Sequence, residues 1–174
     1  GKIVEVEMKK VLLEGRSSGW ELHSLYNELI RFPPNGYKFI VSAEKGISKS
    51  QYIVQSLNKR LVRKEITKVI YDYFRPFAYY TYYWFNNRYK TENVYLTYAS
   101  QHVVLRSEPW VVDLEHAGSL VAYGKTKVIK KFIERALKSD YCKKIMPWTE
   151  MGKRSLISSF NCHEFEDKIE VVNL

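Results

Sequence analysis

The sequence predicts an α/β fold of one domain, a parallel sheet with helices on both faces. Three observations predict it. Short apolar runs ending in turn residues recur along the chain, stretches of three-and-four periodicity separate them, and no internal repeat or low-complexity linker breaks the alternation. With 174 residues and 45 % apolar content, the chain can complete one core without disulfides.

The elements follow in order. Lys10 to Glu14 (KVLLE) is short and apolar and runs directly into Gly15-Arg16-Ser17-Ser18-Gly19, which marks a buried strand entering a glycine-bearing turn. From Trp20 the period changes. Leu22, Leu25, Tyr26, Leu29 and Ile30 recur at three and four, and Ser18 with Glu21 makes a capping box before them. Pro33-Pro34-Asn35-Gly36 ends that helix, and Tyr37 to Ser42 (YKFIVS) reads as the second strand, completing a βαβ unit. Ser50 to Arg63 reads as a helix and Lys68 to Tyr71 (KVIY) as a short strand. Further strands are expected at Val94–Tyr98, Trp110–Leu114, Lys144–Trp148 and Ile169–Val172. Tyr123 to Leu137 predicts a basic helix with Val128, Phe132, Ile133 and Ala136 on its inner face, and Glu150 to Phe160 a last helix.

Composition limits the function classes. Two cysteines, Cys142 and Cys162, do not make a secreted disulfide framework and are expected to be reduced thiols of a cytoplasmic protein. Neither belongs to a metal-ligand pair of usual spacing, so no metal site is expected. The start lacks the apolar core of a secretory signal; Met8 fits a natural start, with residues 1–8 read as a tag or disordered lead and 9–174 as the domain. A net charge of +9 calls for an anionic partner: nucleic acid, an acidic membrane face or phosphate-bearing small molecules.

Four features can carry chemistry. The Gly15–Gly19 turn would let backbone approach a ligand at a helix start, although its G-x-x-x-G spacing matches neither the dinucleotide nor the P-loop pattern, and a plain tight connection explains it equally well. Glu115 and His116 follow a buried strand directly, which puts them at the carboxyl edge of the sheet, where ligands of open α/β folds bind; a loop-bridging histidine is the structural alternative. The lysine-rich helix, Lys125 to Lys138, reads either as a solvated face or as an attractor of lipid or substrate phosphate. Finally, Tyr71 to Tyr89 holds eleven aromatics with Arg75, Asn86, Asn87 and Arg88 among them, more than one core-facing stripe needs. Such residues also suit a membrane–water interface or a sugar or lipid acceptor.

Taken together the order of these pieces resembles the opening of retaining GT-B glycosyltransferases. Gly19-Trp20-Glu21-Leu22-His23-Ser24-Leu25, then Leu29 and Gly36-Tyr37-Lys38-Phe39-Ile40-Val41, looks like the glycine turn, acidic residue, helix and glycine-led second strand of that family. Pro109 to His116 (PWVVDLEH) is similar to its central strand ending in a cleft histidine, Asp140 to Leu156 to the strand–Ser/Thr-Glu–Lys–helix element, and Lys168 to Val172 to the strand leading to the hinge. The chain departs from the pattern in having Ser18-Gly19 where two glycines are usual, and the donor-binding domain does not lie within it.

The resemblance implies the Rossmann-like N-terminal half of a GT-B fold. It implies transfer of a sugar, with retention, from a nucleotide diphosphate sugar to an acceptor held by this half, with no cofactor or metal required and a donor-binding C-terminal domain supplied from outside the chain. His116 would then be catalytic, and Gly15, Arg16, Gly19, Trp20 and Glu115 would bind substrate. Arg16 is placed there by charge and location only. The acceptor would be a glycan or a lipid, with peripheral contact at the inner membrane face and no nucleic acid partner. A non-catalytic basic α/β module for nucleotide, RNA or protein is the alternative, although no RNP-like or KH-like motif occurs. A nicotinamide oxidoreductase is disfavoured because G-x-G-x-x-G is missing.

Overall fold

Strands β1 (Lys9–Glu14), β2 (Tyr37–Val41), β3 (Leu96–Ser100), β4 (Trp110–Leu114) and β5 (Cys142–Pro147) form one all-parallel sheet in the order β2-β1-β3-β4-β5. The structure is a computed structural model that describes residues 8–14, 24–41, 65–87 and 93–173. The helices are α1 (Ser24–Arg31), α2 (Glu65–Asn87), α3 (Ala117–Leu120), α4 (Thr126–Lys138) and α5 (Glu150–Ser159). The arrangement is the expected Rossmann-like α/β fold in a single small domain. Residues 1–7, the Gly15–Gly19 turn with Arg16 and Trp20, and the Ser50–Arg63 helix reading lie outside the described residues.

Register sorts the side chains into two faces, because successive residues of a strand point to opposite sides. Ala99, Trp110, Val112, Leu114, Cys142 and Ile145 share one face. Against it pack Tyr80 of α2, Ile129, Ile133 and Leu137 of α4, and Leu156 with Phe160 at α5, in one buried cluster. The opposite face carries Val11, Leu13, Tyr98, Val111 and Asp113, and α1 covers it through Tyr26. The interior strand β4 is buried at all five positions, as a parallel strand clothed on both sides should be.

Between β3 and β4 the chain returns without a helix, over residues 101–109, and the interior there is ionic. The Arg106 guanidinium bonds Glu14 at the end of β1, and through Nε (2.9 Å) and Nη2 (2.8 Å) it holds Glu108. Thr97 donates to the same Glu108 oxygen at 2.7 Å, and all four residues are buried. Burying a charge is costly unless it is paired and hydrogen-bonded, and here one planar fork serves two carboxylates.

Several expectations need correction. Lys68–Tyr71, read as a strand, belongs to α2, a helix of 23 residues that also takes in most of the aromatic segment. Local β-branched composition misled there, because helix or strand for a short apolar run is decided by length and context. The third strand is shifted to Leu96–Ser100. Of the α4 face read as Val128, Phe132, Ile133 and Ala136, Ile133 is buried and Ala136 packs on the core, but Val128 and Phe132 are 41 % and 39 % exposed, and Ile129 and Leu137 complete the inner face. Ile169–Val172 runs beside β5 with Glu170 and Val172 donating to Ile145 and Pro147 carbonyls (2.9 and 3.1 Å), but only a single bridge, Ile145 to Ile169, forms.

Two local devices fix the helices. Pro76 lies inside α2 and has no N–H to give to the Asp72 carbonyl one turn earlier. That carbonyl accepts instead from the Lys125 backbone N–H at 2.9 Å, tying α2 to the start of α4. Gly124 is required beside this bond, since a Cβ there would stand 2.5 Å from the Pro76 ring and 2.7 Å from the Asp72 oxygen. At the other end of α4, Lys168 Nζ donates to the carbonyls of Leu137, Lys138 and Ser139 (3.2, 3.0 and 2.9 Å), a cation placed where the helix dipole is negative.

Gly124→Ala should therefore lower stability by about 1–3 kcal/mol, the usual cost of overpacking, read as a fall in the urea midpoint with an unchanged slope. Cys142 and Cys162 are free and buried, and burial pushes their thiols up to about 12 and about 11. A disulfide-exchange reagent near neutral pH should label neither in the native protein and both after denaturation.

Candidate functional site

In open parallel sheets the ligand crevice lies beyond the carboxyl ends of the strands, where the strand order reverses. Here the reversal falls between β1 and β3, and β4 is the next strand over. The residues leaving these strands are Gln101 after β3 and Glu115-His116 after β4. The turn leaving β1, with Gly15, Arg16, Gly19 and Trp20, lies outside the described residues.

His116 is fixed at its backbone and at one ring nitrogen. It is the N-cap of α3, with extended φ −158° and ψ 165°, and its Nδ1 accepts from the Gly118 N–H at 3.1 Å. In a neutral imidazole one nitrogen donates and the other accepts, so an accepting Nδ1 puts the proton on Nε2. The ring stands edge-on to Tyr123 with centroids 5.3 Å apart. A Cβ on residue 118 would meet Cε1 and Nδ1 of His116 at 2.8 and 2.9 Å, so a larger residue there would displace the ring from this cap. The His116 carbonyl in turn accepts from the Ser119 N–H and hydroxyl (3.1 and 2.7 Å).

Glu115 is exposed, and its backbone packs against the start of α5. A Cβ on Gly152 would stand 2.6 Å from the Glu115 carbonyl oxygen. Thr149 caps that helix by accepting from the Gly152 N–H at 3.0 Å, and Ser155 Oγ accepts from the Ala117 N–H at 3.2 Å. The loop bearing the two residues is thus held from both sides.

Spacing places neither Tyr123 nor Gln101 at this rim, and it puts Arg75 only in the aromatic segment; in the structure Tyr123 lies against the histidine ring and the other two contact Tyr123. Tyr123 donates to Gln101 Oε1 at 3.3 Å, and the Arg75 guanidinium lies 6.0 Å from the Tyr123 ring centre, within cation–π range. Gln101, Ala122 and Tyr123 all have φ in the left-handed region, at 60°, 52° and 60°. Each such non-glycine residue costs about 1–2 kcal/mol, and strained backbone of this kind concentrates at functional rims. No spacing rule signals these residues, because they meet only through tertiary structure.

Directly behind the rim, on the α1 face, lies buried Asp113. Tyr26 and Tyr98 donate to its Oδ2 at 2.7 and 3.2 Å, and Ser100 donates to the Tyr26 hydroxyl at 2.6 Å. Burial raises the Asp113 carboxyl above the usual range, and hydrogen bonds led by Tyr26 oppose the shift without cancelling it. Burial beside Asp113 likewise pushes both tyrosine hydroxyls well above their ordinary value.

Two concavities among the described residues lie away from His116. One, about 600 Å³, is on the α1 face at the amino ends of the strands, lined by Val11, Tyr37, Phe39, Tyr98 and Val111. The other, about 750 Å³, lies between α2 and α4.

A carboxyl whose folded value is raised favours the fold fully below its unfolded value, about 4, and loses that contribution as pH rises through the folded value. Wild-type stability should accordingly fall over this range from the Asp113 contribution. In Asp113→Asn, which keeps an acceptor for the two tyrosines, that part of the slope should vanish. Urea unfolding of both proteins from mildly acidic to neutral pH measures the difference, and parallel curves would refute it.

Comparison of the chain with protein-family models, with curated proteins and with solved structures finds no match.

Proposed function

We propose that the chain is the acceptor-side half of a glycosyltransferase that moves a sugar from a nucleotide diphosphate sugar to an acceptor, with retention. The observation that carries the proposal is the setting of His116. It stands at the carboxyl edge of β4, with Nδ1 accepting from the Gly118 N–H, which leaves Nε2 as the ring nitrogen able to donate. A fixed N–H donor at a crevice rim can orient a sugar hydroxyl, or steady a phosphate oxygen as negative charge grows on the leaving group. The order of motifs around it, from the Gly15–Gly19 turn to Lys168–Val172, supports the same reading.

In this reading Glu115, exposed beside His116, and the Arg75–Tyr123 pair contribute to acceptor binding. Arg16, Gly15 and Gly19 contribute to anion binding in this reading, and Trp20 to substrate binding. The donor nucleotide is bound by a second domain outside this chain. The Rossmann-like fold supports the reading only as a scaffold, since one fold hosts many activities.

The test uses the complete reading frame and a panel of uridine and guanosine diphosphate sugars. One donor should turn over, and His116→Ala should lower kcat by about 100-fold or more while the melting temperature stays close to wild type. Turnover unchanged by the substitution would remove His116 from the site. A complete protein that turns over no donor yet binds nucleotide or RNA would favour the non-catalytic basic module.

A further inference from the structure

Helix α2 turns large apolar side chains outward. Ile70, Phe74 and Phe77, spaced four and three residues apart, are 53 %, 66 % and 61 % exposed, with Val69 and Tyr73 beside them and also exposed. Across the groove of about 750 Å³, helix α4 adds exposed Val128 and Phe132, and Phe132 stacks edge-on against Tyr80 at 5.2 Å. Single exposed apolar residues need no explanation, but a contiguous patch from two adjacent helices marks an interaction surface. Its border is cationic. Lys127, Lys130 and Lys131 line the groove, and Lys125, Arg135 and Lys138 continue along α4. Of the acidic groups beside these cations, Asp72 and Glu134 are half-buried, Glu134 holding the Asn161 N–H at 2.6 Å and Lys130 at 3.8 Å, whereas exposed Glu164 pairs with Lys138 at the far end of α4.

We infer that this α2–α4 face docks on an anionic membrane surface, with Ile70, Phe74, Phe77 and Val128 entering the headgroup–acyl boundary and the α4 lysines engaging lipid phosphates. Apolar side chains flanked by lysines are what interfacial binding requires, since burial and attraction to acidic lipids add. A helix crossing the bilayer is a different matter: among the described residues none is long and apolar enough. Single-stranded RNA fits less well, because aliphatic Val69, Ile70 and Val128 offer bases no face to stack on. A second copy of the chain fits less well too, because a symmetric contact would bring two rows of lysines together. The inference does not rest on sugar transfer. It has a geometric consequence all the same: Asp72 and Pro76 of α2 hold Lys125 and Gly124, which directly follow Tyr123 of the His116 rim. The docked surface therefore borders the candidate site.

Co-sedimentation of the 174-residue chain with phosphatidylcholine vesicles, with and without phosphatidylglycerol, at low and high salt, tests this directly. Binding should need the anionic lipid and weaken with salt. The pair Phe74→Ser/Phe77→Ser and the separate pair Lys127→Gln/Lys131→Gln should each lower the partition coefficient about tenfold or more, with an unchanged circular dichroism spectrum. Because the lysine pair is exposed and leaves the core intact, it keeps the test decisive if the phenylalanine pair disturbs folding. No partition into anionic vesicles at low salt, or partition that neither pair alters, overturns the inference. So does a dimer or an RNA complex that these substitutions abolish while vesicle binding is absent.

Discussion

The carboxylate of Asp113 is the constraint around which the upper half of this domain is organised. It sits on the interior strand β4, fully buried, and accepts hydrogen bonds from the hydroxyls of Tyr26 and Tyr98. One donor comes from α1 and the other from β3, so satisfying this single group fixes the helix over the sheet and aligns two strands. The Ser100 hydroxyl then joins the α1 tyrosine to the end of β3. A valine at this position would serve the core but would leave buried hydroxyls to be satisfied elsewhere. The polar solution defines one placement of α1 instead of a family of them.

The other face solves a different problem by related means. A crossover between adjacent parallel strands commonly carries a helix whose apolar face covers the sheet. The β3–β4 return has none, and Arg106 occupies the space with Glu14 and Glu108. Such a network makes position specific more than it adds stability, because desolvation offsets much of the attraction. Its benefit is geometric. It fixes the carboxyl end of β1 against the loop that begins with Gln101, which is where the crevice starts.

What the sequence makes legible follows from how local each cause is. Trp110–Leu114 is readable because a strand buried on both faces must be apolar nearly throughout, and the position of Glu115 and His116 follows from that strand alone. Lys68–Tyr71 is not readable in this way, since four residues of mixed β-branched and aromatic type fit either state and only the length of α2 decides. The inner face of α4 is misjudged by one position because Val128 and Phe132 are apolar without being core; they belong to the outward patch, which periodicity cannot distinguish from a buried stripe. Asp113 reads as an anomaly inside an apolar run, and its partners Tyr26 and Tyr98, 87 and 15 residues away, leave no trace in spacing.

The strained rim connects these levels. Gln101, Ala122 and Tyr123 adopt left-handed backbone that their side chains disfavour, and three bonds hold them there: Gln101 N–H to the Asp113 carbonyl at 3.0 Å, Ala122 N–H to Ser119 at 3.1 Å and Tyr123 N–H to Gly118 at 2.7 Å. The same Gly118 supplies the N–H that His116 Nδ1 accepts. One glycine thus positions the histidine through its nitrogen and the tyrosine beside it through its oxygen. The ring contact of 5.3 Å between them is set by backbone and not by side-chain packing alone. From Tyr123 the chain passes in two residues to the carbonyl that Pro76 leaves open on α2. Helix α2 is thus tied to the histidine rim by a short path of hydrogen-bonded backbone. That continuity joins helix α2 and the carboxyl edge of β4 through one connected stretch of backbone.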